Sequence, residues 1–252
     1  GLNQTSMIWD FGLVKKVLRN WLDDELDHRL LVPIKSNNLS YEIKQDRIYI
    51  SWKFAGDKIF TMEAPIESVA LIDATHINEK TSSQWCLKQL SQHFPDNLEH
   101  IQLNFEAEDI NSAFYHYSHG LKKHDGNCQR IAHGHRSRIQ IWRDGSRDNN
   151  LELNWAERWA DIYIGSEDDL VRTDTDDKAQ MHFAYDAPQG HFKLSLPKNE
   201  CYMMASDTTV ECIAAHIAQI LQQENPNCSI TVKAFEGIHK GAIFEYNLGM
   251  PN

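Results

Sequence analysis

The second half of the sequence repeats the pattern of the first, and this repeat constrains the fold more than any other feature. Residues 105–114 contain a Phe-Glu pair followed by seven residues and a Phe, and residues 235–244 contain the same pattern. Residues 81–84 and 208–211 each precede an amphipathic stretch of helical period and carry polar residues suited to a helix start. Internal similarity of this kind indicates two copies of one supersecondary unit. The sequence therefore predicts that two similar units fill the chain.

Apolar periodicity gives the order of elements within each unit. Residues 48–54 alternate as in a half-buried strand, and residues 182–196 are predicted to contain the corresponding strands of the second unit. Asp10 is placed as the N-cap of a helix, which Pro33 is predicted to close. Residues 101–105 alternate into a further strand. We expect an α+β fold of two tandem ββααββ units, with antiparallel sheets and with helices on one face.

The boundary between the units is placed after residue 109. The first unit is assigned to residues 1–109 and the second to residues 110–252, with Asp10-Phe11 matched to Asn154-Trp155. In the second unit a His-rich stretch precedes the first helix, and its counterpart in the first unit would fall before residue 1. We therefore expect the first unit to lack its N-terminal hairpin.

Composition excludes several classes of partner. The 252 residues carry a formal net charge of −11 at pH 7, so the chain offers no basic surface for nucleic acid. No apolar run is long enough to cross a membrane. The 5 cysteines are odd in number and lack C-x-x-C spacing, which favours a reducing cytoplasm over a disulfide framework. We expect a cytoplasmic protein without nucleic-acid or membrane partners.

The stretch from residue 117 to residue 141 contains the residues best suited to chemistry. His133 and His135 are two apart on a predicted strand, so both imidazoles point to the same face. His119 can complete a three-His set that leaves one coordination position open, a pattern typical of catalytic zinc. Cys128 lies shortly before the pair. The alternative is structural, because 13 His make chance H-x-H pairs common and a lone Cys is usually a small buried hydrophobe.

Short segments of the chain resemble a known family. Residues 117–121 (Tyr-Ser-His-Gly-Leu), 126–128 (Gly-Asn-Cys) and 133–135 (His-Gly-His) are similar to the metal-and-cysteine signature of the 6-pyruvoyl-tetrahydropterin synthase family, which includes the 6-carboxytetrahydropterin synthases. Residues 10–12 (Asp-Phe-Gly), with a helix ending in residues 26–28 (Leu-Asp-His), resemble the middle of the same family pattern. The resemblance implies the tunnelling fold, in which ββααββ units join into barrels with active sites between units.

The resemblance also implies catalytic roles for named residues. Cys128 would move a proton as a base, and His28, oriented by Asp27, would be the partner acid or base. The cofactor would be Zn²⁺, which acidifies the hydroxyls of the substrate side chain as a Lewis acid. Its ligands would be His119, His133 and His135.

A second group of residues would bind the substrate, a pterin triphosphate. Glu236 or its repeat mate Glu106 would accept two hydrogen bonds from the pterin ring, and Thr209 is a further candidate contact. Without the resemblance, Glu236 would be an exposed charge at a strand end. The phosphates have three candidate receptors, for which solvated side chains are the alternative: Lys122, Lys123 and Arg136.

These roles predict a carbon-oxygen or carbon-carbon lyase acting on 7,8-dihydroneopterin triphosphate. One branch of the family eliminates triphosphate to give 6-pyruvoyl-tetrahydropterin, and the other also cleaves the side chain to 6-carboxytetrahydropterin on the way to queuosine. We expect the second reaction because we expect a bacterial source. A tandem protein that binds a pterin or purine without turnover is the other hypothesis. Since the catalytic parts are split between the units, we expect a homo-oligomer, either a dimer or a tetramer.

Overall fold

The computed structural model describes residues 1–54, 56, 58–171 and 179–246. No helix in these ranges is both long and apolar enough to span a membrane. The helices are α1 (Phe11–Glu25), α2 (Glu79–Leu90), α3 (Asn149–Arg158) and α4 (Val210–Glu224). The strands of the first half are β1 (Leu30–Pro33), β2 (Leu39–Lys44), β3 (Arg47–Phe54), β4 (Lys58–Pro65) and β5 (Val69–Ile72). Those of the second half are β6 (Phe114–His119), β7 (His133–Arg143), β8 (Ser146–Arg147), β9 (Ile162–Ser166), β10 (Gln180–Ala187), β11 (Gly190–Pro197), β12 (Cys201–Met204), β13 (Ile230–Gly237) and β14 (Lys240–Tyr246).

The larger sheet lies in the second half of the chain and carries the candidate site. Its strand order is β12-β9-β6-β7-β13-β14, with β8 beside β7. The hairpins β6–β7 and β13–β14 are antiparallel, whereas β9 runs parallel to β6 and to β12. Helices α3 and α4 pack against these hairpins, and Trp155, Trp159 and Ile217 are buried there. Mixed α and β structure of the predicted class is therefore present.

A five-stranded sheet joins the two halves of the chain, in the order β10-β11-β4-β3-β2. The predicted strands at residues 48–54 and 182–196 are both part of it. β4 pairs with β11 in antiparallel register, with Met62 opposite Leu194. Both side chains are buried in one apolar cluster that holds residues from the two halves. The halves are thus packed through a shared sheet.

The two halves contain similar local arrangements. β1 pairs with β5 in parallel, as β9 does with β12. A short 3-10 turn precedes β5 and another precedes β12, and each turn follows a proline, Pro65 and Pro197 respectively. The predicted tandem repeat itself stays a prediction.

The end of α1 differs from the expectation that Pro33 would close this helix. Asp10 is the N-cap, as predicted, and its carboxylate accepts a hydrogen bond from the Leu13 amide. The helix ends at Glu25, and His28 adopts a left-handed backbone with φ 58° that a helix cannot continue through. Pro33 instead ends β1, where a missing N–H at a strand terminus has little cost.

Two other predicted helix starts are corrected. α2 begins at Glu79, because Asn78 caps it and Thr81 completes a capping box by accepting a hydrogen bond from the Asn78 amide. α3 begins at Asn149 with Asp148 as its N-cap, so Asn154, which the sequence matches to the N-cap Asp10, lies inside the helix. A short polar side chain just before the helix satisfies the first amides in both cases.

The predicted strand at residues 101–105 is absent, because this segment has no regular secondary structure. An alternating pattern forms a strand only when a neighbouring strand supplies backbone hydrogen bonds, and no described strand lies beside it. Leu103 and Phe105 instead pack against α1 and α2, around Trp21 and the buried Cys86.

Candidate metal and thiol site

Three His side chains converge where β6 ends and β7 begins. His119 is directly opposite His133 in the β6–β7 register, and His135 is opposite Tyr117. One nitrogen from each ring lies within 4.8 Å of the others. His119 and His133 are buried and His135 is partly buried. The structure therefore places the three predicted ligands together.

Backbone carbonyls orient all three rings in the same way. The Nδ1 atoms donate to the carbonyl oxygens of Thr208 at 2.9 Å, Arg130 at 2.7 Å and Glu236 at 3.1 Å, for His119, His133 and His135 respectively. A carbonyl can only accept, so each Nδ1 carries the hydrogen and each Nε2 presents a lone pair. This is the arrangement in which neighbouring groups orient metal-ligating histidines.

The Nε2 atoms face one another without conventional donors. Nε2 of His119 lies 3.1 Å from Nε2 of His135, and Nε2 of His133 is buried with no hydrogen-bond partner among the described residues. Burial lowers the pKa of His133 to about 3 and that of His135 to about 4, and the pKa of His119 also lies well below its usual value for this reason. The three imidazoles are therefore neutral near pH 7, as metal ligands must be.

The donor set fits a Zn²⁺ ion. Two nitrogens bound to zinc at about 2.0–2.1 Å with tetrahedral angles would lie about 3.3 Å apart, close to the 3.1 Å between His119 and His135. Three imidazoles, with no fourth ligand in the group that the described residues form, leave a position for water or substrate. A cation would also relieve the repulsion between facing lone pairs. These residues can therefore hold the metal that the sequence predicted.

The Asp27–His28 pair lies beside this cluster, although it comes from the first half of the chain. The His28 ring centroid is 4.7 Å from that of His133. Nδ1 of His28 donates to the Asp27 carboxylate at 2.6 Å, and Nε2 lies 3.4 Å from Sγ of Cys128, which is 100 residues away in sequence. The hydrogen bond with Asp27, followed by that with Cys128, raises the pKa of His28 to about 9. The Cys128 thiol, the His28 imidazole and the Asp27 carboxylate are thus in successive contact within one chain.

The loop that carries Cys128 is held from two sides. On one side, the Asn127 side-chain amide donates to the Asp23 carbonyl near the end of α1. On the other side, Gln189 in the β10–β11 turn binds the loop through its backbone amide, to Gln129, and through its side-chain amide, to Asn127. These contacts determine where the thiol lies relative to His28.

Gly120 is required where β6 enters this loop. A Cβ at this position would collide with the Tyr185 hydroxyl and lie 2.7 Å from the Ile131 Cα. The Tyr185 hydroxyl donates to the Gln129 carbonyl at 2.7 Å, so it cannot move away without releasing the Cys128 loop. The close approach explains the glycine after His119.

The two candidate pterin-binding carboxylates differ in their surroundings. Glu236 lies on β13 at a register irregularity, is partly buried, and its carbonyl orients His135. Burial, followed by the nearby charge of Glu211, raises the pKa of Glu236. Glu106 is exposed in the irregular segment before β6. Thr209 caps α4 and accepts from the Cys212 amide, next to the Thr208 that binds His119.

The three candidate phosphate receptors already have partners. Lys122 forms an ion pair with the buried Asp169 at 2.6 Å, and Lys123 forms one with Asp207 at 2.8 Å. The Arg136 guanidinium lies over the Phe114 ring at 4.3 Å. The Lys123 side chain is 62% exposed, as the solvated alternative expects, whereas Lys122 is largely covered beside a buried carboxylate.

Sequence reasoning missed several residues that position the site. The backbone carbonyls of Thr208 and Arg130 accept from His119 and His133, and the Arg130 side chain also donates to the Asp27 carbonyl. The Gln189 amide binds the Cys128 loop at Gln129. The one sequence feature that marks Thr208 is its position just before Thr209, the N-cap of α4. No pattern in the sequence marks Arg130 or Gln189.

The fold and site define a class of mixed α+β protein in which three His that could hold a metal ion lie beside a thiol. The chain belongs to the 6-pyruvoyl tetrahydropterin synthase family, whose model matches residues 109–247, more than half of the chain. The resemblance noted in the sequence is therefore confirmed. Comparison with curated proteins finds no match.

Solved structures with detectable similarity include enzymes of the same name from two organisms. The 6-pyruvoyltetrahydropterin synthase of Plasmodium vivax, solved as a catalytic residue mutant, is 16% identical, with 53% of this chain and 91% of that chain covered and a TM-score of 0.40. The enzyme of Plasmodium falciparum is 14% identical over 53% of this chain and 91% of that chain, with a TM-score of 0.41.

Proposed function

We propose that the protein is a zinc-dependent lyase that acts on 7,8-dihydroneopterin triphosphate. The specific reaction we propose is that of a 6-carboxytetrahydropterin synthase, which supplies the queuosine pathway. The observation that carries the proposal is the 3.4 Å contact between Cys128 and His28, next to three His whose donor nitrogens lie within 4.8 Å of one another. Family membership adds the pterin substrate class.

In the proposed mechanism, the protein's own residues move the protons. Cys128 takes a proton from the substrate side chain, and the Asp27 carboxylate stabilises the positive charge on His28 while that residue exchanges the second proton. A Zn²⁺ ion bound by His119, His133 and His135 would lower the pKa of the side-chain hydroxyls.

The proposed anchor for the pterin ring is Glu236. Its backbone is tied to His135, so a pterin held by its carboxylate would have its side chain near the metal ligands. An ionised carboxylate can accept two parallel hydrogen bonds from the ring N–H and amino group. Thr209 is proposed as a further substrate contact and Glu106 as the weaker candidate anchor.

We predict that Glu236→Gln weakens pterin binding more than Glu106→Gln does. An amide accepts only one of the two hydrogen bonds, and a buried donor left unpaired costs about 1–3 kcal/mol, or roughly 5- to 150-fold in Kd. Because Glu106 is exposed, its amide variant should bind like wild type. Fluorescence titration with neopterin measures both constants, and a larger loss in Glu106→Gln would assign the anchor to the first half.

The two-unit organisation is also part of the proposal, with units at residues 1–109 and 110–252. It is supported by the pairing of β4 with β11, since these strands occupy equivalent places in the two halves and meet with Met62 opposite Leu194. A local two-fold axis would pass through such a pair. The proposed tandem units would thereby bring Asp27 and His28 of one to Cys128 of the other.

A dimer or tetramer of the chain is proposed as the assembly. β14 has an unpaired edge in the described sheet, and Ile243 on this strand is 61% exposed. An exposed strand edge can pair with a strand of another chain, and barrel closure removes such edges altogether.

The experiment that tests the function is product analysis. Purified protein is incubated with 7,8-dihydroneopterin triphosphate, and pterin products and released tripolyphosphate are followed by chromatography and mass spectrometry. Formation of 6-carboxytetrahydropterin supports the proposal. If 6-pyruvoyl-tetrahydropterin accumulates instead, the chain catalyses only the elimination. Pterin binding without any product would identify a binding protein.

A further inference from the structure

A buried arginine contacts both the three-His cluster and the Asp27–His28 pair. Arg130 is only 5% exposed, and Nη1 of its guanidinium donates to the Asp27 carbonyl at 3.0 Å. Its own backbone carbonyl accepts the hydrogen bond from Nδ1 of His133 at 2.7 Å. One residue therefore contacts a candidate metal ligand with its backbone and the other half of the site with its side chain.

The carbonyl that Arg130 binds belongs to the peptide group joining Asp27 to His28. His28 follows this peptide with a φ of 58°, a left-handed conformation that costs energy for a residue other than glycine. Such a conformation persists only where the surroundings impose it. The Arg130 hydrogen bond fixes the orientation of that peptide and so limits where the His28 ring can lie.

The burial of this guanidinium is costly by itself. Nε of Arg130 has no hydrogen-bond partner among the described residues, and burial, followed by the charge of Arg29, lowers the pKa of Arg130 to about 10. A buried cation with incomplete hydrogen bonding is unfavourable for folding. Its contacts with both parts of one site point to a positioning role.

We propose that Arg130 is the positioning residue that holds His28 in reach of Cys128, and that its side chain is not needed for metal binding. The expected effect of Arg130 on turnover rests on the proposed function, whereas its expected effect on the reactivity of the Cys128 thiol does not. Since any residue at this position supplies a carbonyl, the bond to His133 survives replacement of the side chain.

The test compares Arg130→Met and Arg130→Lys with wild type. We expect Arg130→Met to retain zinc and to lose about 10- to 100-fold in kcat, as is typical of a misplaced catalytic group, with KM within about twofold of wild type. Alkylation of Cys128 by iodoacetamide, followed by peptide mass spectrometry, should slow to the rate found in His28→Ala. Arg130→Lys should recover part of both losses, because an ammonium can donate to the same carbonyl.

Arg47→Met is the matched control. The Arg47 guanidinium also donates to a carbonyl of the other half, that of His191 at 2.8 Å, but this contact lies in the five-stranded sheet. The Arg47→Met variant should have zinc content, kcat and a Cys128 alkylation rate near those of wild type.

Three results would overturn the proposal: loss of zinc in folded Arg130→Met, alkylation of Cys128 at the wild-type rate in that variant, or equal effects of Arg47→Met. If Arg130→Met does not fold, Arg130→Ala, which also lacks a donor for the Asp27 carbonyl, gives the same comparison. Alkylation and zinc content need no turnover, so they decide the role even when the wild-type protein fails to convert the pterin.

Discussion

Replacement of Cys128 by alanine is expected to reduce turnover by about 10²- to 10⁴-fold, the usual contribution of a positioned acid or base, while the purified protein keeps its zinc. The reason is the separation of roles in the site. Cys128 contacts His28, whereas the three clustered nitrogens belong to His119, His133 and His135. Zinc content by mass spectrometry and steady-state kinetics on the same preparation measure both quantities.

Cys228→Ala provides the control for this variant. Cys228 is also a free, partly buried thiol, but it lies beside Asp144 and Ser229, at the end of β7 opposite to His133. It should retain wild-type kinetics and zinc. If Cys128→Ala lost metal together with activity, Cys128 would be a fourth ligand and its assignment to proton transfer would be wrong.

The second large effect is expected from His133→Ala, which should abolish both zinc binding and turnover. Removing a direct ligand should weaken zinc binding by more than the roughly 10- to 100-fold that loss of an outer hydrogen-bond partner causes. The two remaining imidazoles are fewer than the three protein ligands that catalytic zinc sites use. The measurement is zinc per chain after dialysis against a weak chelator, with activity assayed in parallel.

His116→Ala is the appropriate comparison, because His116 lies on the same hairpin but is exposed and faces Asp161. It should retain zinc. Zinc content that stays near wild type in His133→Ala would show that the metal is held elsewhere.

The three-His cluster could be predicted from sequence because it depends on short-range geometry. His133 and His135 are two residues apart on a strand, so their side chains share a face whatever the rest of the chain does. The β6–β7 hairpin then brings His119 opposite His133. The two strands are neighbours in sequence, joined by residues 120–132, so the cluster does not depend on how the halves of the chain pack.

The meeting of Asp27–His28 with Cys128 could not be obtained from spacing. The contact spans 100 residues and depends on how the halves pack through β4 and β11. Family resemblance suggested the residues, but no periodicity indicated that both lie in reach within one chain. Arg130 and Gln189 escaped for the same reason, since their contacts are long-range and involve backbone groups that any residue could offer.

The errors in the predicted elements have a common cause. The alternation in residues 101–105 predicts a strand, yet a strand needs a neighbouring strand, and in the structure the apolar side chains of this segment pack against two helices. Pro33 is predicted to terminate the helix, although α1 already ends at Glu25 and the left-handed His28 lies before β1. Tertiary context decided both cases over local propensity.

The central claim is that one chain supplies a complete site, with Asp27 and His28 from its first half and Cys128 and the three histidines from its second. It is tested most directly by mixing His28→Ala with His133→Ala after dissociation and reassembly, and by measuring turnover of 7,8-dihydroneopterin triphosphate against a wild-type sample treated in the same way. We expect the mixture to stay inactive while the wild-type sample regains its activity, because neither variant chain contains a complete site. Activity in the mixture would contradict the account, since it would show that the first half of one chain serves the second half of another.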